Sequence, residues 1–259
     1  MPEKISLIKQ LHVDWIASQL PQDTADWLYK DCAPSRVLSV PHALNPNHFR
    51  PLLETRQRSI DIGARTYDYP WYLGDKERSD LFRFFSNNPL VQHLKNDISL
   101  NSRDRFDRPG WENFLNQCKG TISTEAGTSY LERDDRTRHQ VNLYRDTHPN
   151  ATFDEIYELF FVRYQNPISG KCLSSRHFDA IGTKTCQIMF SGRFNDILQP
   201  DVHYIAINRD YSNLDDVLRR FQDVEYRQGL TDHTYEYALQ SHTHRHRIEK
   251  ILSAMTLIP

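Results

Sequence analysis

With 259 residues, 38% of them hydrophobic and 25% charged, the chain is long enough to bury one sizeable core and short enough to hold one or two domains. A formal net charge of -2 excludes an overall basic field that would draw in nucleic acid or an acidic membrane surface, so any anionic ligand has to be held locally. Cys32, Cys118, Cys172 and Cys186 are scattered without C-x-x-C spacing, the start MPEKISLIKQ lacks an uninterrupted apolar signal region, and no run approaches the ~18 apolar residues of a membrane span. A reducing, cytoplasmic setting is expected, with peripheral membrane association left open.

Residues 1–57 begin with a helical pattern and pass into the Pro- and Asn-rich stretch SVPHALNPNHFRP, which reads as a linker or an incomplete neighbouring unit. Arg58 to Gly63 then reads as a strand. Lys76 to Asn87, with Leu81, Phe82, Phe84 and Phe85, reads as a helix closed by Asn-Asn-Pro. Asp97 to Leu100 is a second short strand, and Trp111, Phe114, Leu115 and Cys118 fall at i, i+3, i+4 and i+7 of a second helix. Gly120 to Thr124 follows as a strand. Tyr130 to Asn150 is polar and long, and is expected to be a lid or a mobile surface loop.

Thr152 and Glu155 form a capping-box pattern at the head of a helix predicted over Thr152 to Gln165, whose aromatic stripe is expected to face the core. In SSRHFDAIGTKTCQIMF, Ser174 or Ser175 can cap a short helix, Phe178 and Ile181 share its apolar face, and Gly182 is expected to stop it in the left-handed conformation. Arg176, His177, Asp179 and Lys184 crowd around that helix. Its N-terminal amides suit an anion, although a capped surface helix with ordinary charges would look the same. Strands at Thr185 to Phe190 and His203 to Ile207, a helix over Asn213 to Gln222, and further helices between Glu225 and Leu252 complete the chain.

Strands alternating with helices of this length imply an α/β fold with a Rossmann-like, doubly wound and mostly parallel sheet, whose ligands sit beyond the carboxyl ends of the strands. The residues just after each strand are then the functional candidates: Gly63 and Arg65, Ser102 with Arg103 and Arg105, and Glu125 with Gly127 and Thr128. The spacing divides the chain into residues 1–40, a helical segment and linker, and residues 41–259, the Rossmann-like domain.

The runs SRHFDAIGTKTCQIM, ILQPDVHYIAINRDYSNLDDVLRRFQD and HTHRHRIEKIL resemble, in that order, the C-terminal domain of GT-B glycosyltransferases, in the group related to CgeB-like proteins. VPHALNPNHFRP and TISTEAGTSYLE are similar to further segments of that family, so the resemblance extends from about Val40 to Leu252. It implies transfer of a sugar from a nucleotide-diphosphate-sugar donor, bound in this domain, to a glycan acceptor held mainly by a preceding domain. That N-terminal domain is expected to be absent or vestigial here, with a partner protein or domain supplying the acceptor site.

The donor set expected from the strand ends and the resemblance together is Arg65, Arg103, Glu125, Gly127, Thr128, Arg176, His177, Asp179, Gly182 and Thr183. Asp179 stands where the family usually has a glutamate that accepts hydrogen bonds from ribose. Glu125 reads first as a donor-site residue and less readily as a plain helix-start carboxylate, and His177, a weak candidate base, reads more readily as a packed histidine; the resemblance names no catalytic base. It also implies no metal and no cofactor beyond the nucleotide-sugar substrate. His242, His244 and His246 do not align as ligands on one helix face, and Asp134 and Asp135 lack the strand context of a metal-binding pair. Two other function classes stay open. One is a noncatalytic nucleotide-sugar-binding or partner-docking module, and the other is an interaction protein with a decayed site.

Overall fold

A computed structural model of the chain describes residues 1–164 and 168–256. In chain order the elements are α1 (Pro2–Gln10), β1 (Trp15–Ser18), α2 (Gln22–Tyr29), β2 (Arg36–Ser39), β3 (Ile60–Arg65), α3 (Glu77–Asn87), β4 (Asn96–Ser99), α4 (Arg108–Gln117), β5 (Cys118–Ser123), α5 (Arg136–Thr147), α6 (Phe153–Phe160), α7 (Ser175–Gly182), β6 (Cys186–Phe190), β7 (Ile205–Ile207), α8 (Leu214–Gln222), α9 (Val224–Ser241) and α10 (His244–Thr256). They fall into two compact units, one of Met1–Pro41, Tyr69–Lys76 and Ala126–Cys172, the other of His42–Asp68, Glu77–Glu125 and Leu173–Pro259. Sequence reasoning drew one boundary near residue 40. The structure adds Tyr69–Lys76 and Ala126–Cys172 to the first unit as excursions after β3 and after β5.

The second unit is built on five parallel strands in the order β4-β3-β5-β6-β7. Every residue of β6 is buried, as a sheet covered on both faces requires. Side-chain alternation then sorts its residues between two cores. Ile188 joins Ile62, Ile122 and Ile205 under α3 and α8, where Leu81, Phe85, Val217 and Phe221 pack. Met189 joins Ala206 on the opposite face, under Phe178 and Ile181 of α7 and Ala238 of α9. Each such large apolar side chain contributes about 1.5–3 kcal/mol by leaving water. The sheet order changes direction at β3, since β4 lies on one side of it and β5, β6 and β7 on the other, and the crevice between the ends of β3 and β5 is the place where ligands of such sheets collect.

The first unit holds a parallel pair, β1 and β2, in register from Trp15 opposite Arg36 to Ser18 opposite Ser39. Residues 1–41 are therefore a β-α-β piece rather than a helix and a linker. Ile8, Ile16, Leu28 and Tyr29 form its core. The stretch Tyr130 to Asn150, expected to be a lid or a mobile surface loop, is mostly the helix α5, anchored by one fully buried side chain, Val141, which packs with Ile156 and Phe161. Thr152 caps α6 as its sequence implies, accepting from the Glu155 amide at 3.2 Å, but the helix ends at Phe160; Gln165 lies outside the described residues. No helix among the described residues is long and apolar enough to cross a membrane.

Candidate functional site

At the carboxyl end of β3 the second unit contains a cavity of about 330 Å³, lined by α4, the start of α7, the start of α10 and the segment 42–49. That segment is held in place by backbone. Leu44 donates to the His242 carbonyl at 2.8 Å and His244 donates back to Leu44 at 3.3 Å, while the Arg247 guanidinium reaches the His42 carbonyl at 3.2 Å. These bonds bring His42, Asn45 and His48 to the cleft beside His244. Burial, and secondarily the charge of His244, lowers the pKa of His42, so its ring is neutral at physiological pH.

Four arginines, Arg65, Arg105, Arg108 and Arg176, face two aspartates, Asp107 and Asp179, in the lining. Asp107 caps α4 by accepting from the Gly110 amide at 2.9 Å. Arg65, last residue of β3, is buried between Phe114 and Phe106, its guanidinium 4.3 and 5.2 Å from their ring centres. It bonds Asp97 Oδ1 at 2.7 Å and the Ala64, Asp97 and Asp104 carbonyls, and thus works as a fixed positive wall. Arg176, in the first turn of α7, donates to the Arg65 carbonyl and lies 5.4 Å from the Trp111 ring. The Trp111 indole N–H donates to Asp179 Oδ2 at 3.1 Å. Burial raises the Asp179 pKa to about 7, against the opposing pull of Trp111, Arg176 and Arg108.

Comparison with solved structures places the architecture. TarM matches with a TM-score of 0.54 at 11% identity, over 98% of this chain and 46% of that one. A point mutant of S. aureus TarM, in complex with Fondaparinux, alpha-GlcNAc-glycerol and UDP, gives 0.52 at 10% over the same shares. A trehalose-6-phosphate synthase studied with bisubstrate glycomimetics gives 0.50 at 12%, over 100% of this chain and 64% of that one. The fold is of the GT-B type. Neither a protein-family model nor a curated protein sequence matches the chain. It spans about half the length of the TarM structures, and these neighbours support the GT-B architecture without singling out the CgeB-like group.

Within this GT-B-type fold the expected donor residues separate. Arg65, Arg176 and Asp179 line one cleft, and Arg105, flagged for its place after β4, lines it too. Arg103 is exposed in the turn after β4 and is not in the lining. Glu125 is used inside the protein: its Oε1 accepts from the Phe194 amide at 2.7 Å and its carboxyl packs against Gly192, so it fixes the loop after β6. Gly127 and Thr128 belong to the first unit. Gly127 has φ +94°, and a β-carbon there would stand 2.3 Å from the Gly170 carbonyl oxygen, while the Thr128 hydroxyl donates to Leu73 at 2.6 Å.

His177 is fully buried, with its pKa lowered by burial to about 3. Its Nδ1 accepts from the Ser174 amide at 3.0 Å, which leaves the proton on Nε2, 3.2 Å from the Ser123 hydroxyl. It closes the cap of α7 from inside and makes no part of the cleft. Gly182 is helical, not left-handed. The left-handed residue is Lys184, at φ 52°. Gly182 is small because the 44–49 segment crosses it: a β-carbon would come within 2.4 Å of the Phe49 carbonyl oxygen. Thr183 is buried, its hydroxyl within 3.1 Å of the Asp179 carbonyl, and Lys184 precedes β6, at the amino end of that strand, paired with Asp232 at 2.7 Å. His42, Asn45, His48, Arg108, Trp111 and His244 are among the lining residues that sequence reasoning missed. The polar run HALNPNH and the capped start Asp107-Arg-Pro-Gly were the available signals.

Proposed function

We propose that the chain is a glycosyltransferase that takes a sugar from a nucleotide-diphosphate-sugar donor and passes it to a saccharide or other glycan acceptor, with the donor in the cleft at the carboxyl end of β3. The observation that carries this reading is the concentration of Arg65, Arg105, Arg108 and Arg176 around one cavity in a chain whose net charge is -2. As the glycosidic bond to the donor breaks, negative charge builds on the departing diphosphate, and cations fixed beforehand stabilise that charge more in the transition state than in the ground state. Arg65 and Arg176 are fixed in this sense, each against aromatic rings of α4. In this reading Arg176, with Arg105 and Arg108, takes the diphosphate, and Asp179 takes the ribose hydroxyls through the carboxylate oxygen that Trp111 leaves open. The guanidinium groups supply the positive charge, so the reading assigns no metal and no cofactor.

The GT-B-type fold, and the UDP carried by the complex of the TarM mutant, support a nucleotide-sugar donor. The reading gives the acceptor to a further domain or partner protein and assigns the reaction to the cytoplasm. Calorimetric titration with UDP, GDP, ADP and CDP tests the donor site: at least one binds, and Arg176→Ala weakens it by about tenfold or more, as loss of a charge-assisted contact requires. No binding by any of the four would remove the donor site and the transferase with it. Release of free nucleotide from the matching nucleotide sugar, dependent on added glycan, then separates a transferase from a binding module.

A further inference from the structure

Arg176 and Asp179 stand three residues apart on α7, a spacing at which opposite charges on a helix ordinarily meet. Among the described residues the one hydrogen bond to the Asp179 carboxylate is the 3.1 Å bond from the Trp111 indole to Oδ2, so Oδ1 keeps its accepting capacity in a residue that lines the cleft. Trp111 touches both charges. Its ring lies under the Arg176 guanidinium at 5.4 Å and stacks on Phe114 at 5.7 Å, while its N–H holds the carboxylate. Phe114 in turn carries the Arg65 guanidinium at 4.3 Å, so the α4 face orders the cations and the acid as one assembly.

The geometry points to Trp111 as a positioning residue for nucleotide recognition: its indole N–H fixes the Asp179 carboxylate by one oxygen, so that the other is presented to a ribose hydroxyl beside the arginines that take phosphate. The inference rests on the donor reading above and adds what sets its sugar selectivity. The ligand class is a ribonucleoside diphosphate, distinguished from its 2′-deoxy counterpart by the acceptor that Trp111 orients. A half-buried acceptor that the bound ligand closes off from water penalises a ligand that lacks the hydroxyl, because it is then left unpartnered.

Trp111→Phe keeps an aromatic ring near Arg176 and Phe114 and deletes the N–H together with one of the two fused rings; loss of ring area alone weakens ribo- and deoxynucleotide alike, so the ratio between them reads the N–H. The expected result is a loss of about tenfold in affinity for the preferred ribonucleoside diphosphate, with the ribo-to-deoxy affinity ratio falling to about one. Asp179→Asn abolishes the same preference, and adding Trp111→Phe to it changes the ratio no further. A merely structural tryptophan would weaken both nucleotides alike and leave the ratio where it was. That outcome overturns the inference while the donor site stands, as does a wild-type chain that binds nucleotide without preferring ribose. If the wild-type chain binds no nucleoside diphosphate, the donor reading itself is lost. A measurement without a change at Trp111 guards against misfolding: of the four indole N–H resonances in the wild-type chain, one shifts in Asp179→Asn and also on nucleotide binding. The absence of a resonance that responds to both also overturns the inference.

Discussion

Asp179→Asn is expected to make the protein more stable at pH 8 while impairing its cleft. The folded carboxyl titrates at about 7 against 3.8 for an unperturbed aspartate, because burial in the cleft wall disfavours its charge. Between those two values the folded chain holds a proton that the unfolded chain has released, so stability falls as pH rises through this window and levels off above pH 7. A shift of about three pH units corresponds to at most about 4 kcal/mol. The carboxylate borders an open cleft, and solvent screening brings the expected cost to about 1–3 kcal/mol. Asparagine keeps an acceptor for the Trp111 indole and carries no charge to desolvate. In a chain of this size each kcal/mol moves the melting temperature by roughly 2–4 °C.

Thermal or urea denaturation of wild type and Asp179→Asn at pH 4, 6 and 8 measures this directly. The two curves should coincide near pH 4 and separate progressively toward pH 8, with the variant the more stable. Burial lowers His177 to about 3 and His203 and His242 to about 4, so these histidines withdraw stability from both proteins as pH falls below 6.5. Their contribution is common to both and cancels in the difference. A gap independent of pH, or a variant less stable at pH 8, would refute the account of Asp179 as a desolvated acid. Nucleotide binding supplies the complementary sign: affinity that depends on the charged carboxylate rises with pH through about 7 in the wild type and does so less in the variant.

Gly182→Ala forces a β-carbon to within 2.4 Å of the Phe49 carbonyl oxygen and 2.7 Å of its β-carbon, for an expected loss of about 1–3 kcal/mol and a displaced cleft wall, seen as a lower melting point together with weaker nucleotide binding. His177→Ala leaves the Ser174 amide and the Ser123 hydroxyl without their ring partner and opens a cavity, for about 3 kcal/mol or more in urea titration, and the acid limb of the stability curve should flatten because the most depressed histidine is gone. All four cysteines are free and buried, and Cys118 and Cys186 are pushed up to about 12 by burial, so a thiol reagent should modify the native protein only at the rate of unfolding and react with four thiols in denaturant; one fast native thiol contradicts that placement.

The parts of the fold legible in the sequence are those whose local and tertiary demands coincide. β6 is buried on both faces and reads as an apolar run interrupted by Gln187 alone, and α6 and α7 announce themselves through Thr152 and Ser174 at their caps. β1 and β2 were missed because Ile16 is the one buried apolar residue between them, and α5 because a single buried residue, Val141, leaves its apolar stripe one side chain wide. The cleft divides the same way. Arg65 was legible from its place at the end of a strand, and Asp179 from the capped helix and the family run that carries it. His42, His48 and His244 were not, since they meet only through backbone bonds that join residues some two hundred positions apart. Charge type alone misled in a consistent direction. Lys184 and Glu125 have the right chemistry for a donor site, but the protein has already used them, the lysine on Asp232 and the glutamate on the Phe194 amide. Whether an ionisable side chain serves a ligand depends on what its neighbours leave of its hydrogen-bonding capacity. Asp179 keeps one oxygen because α4 offers it a single N–H donor, and that arrangement is fixed by the packing of Trp111, which no periodicity in the sequence encodes.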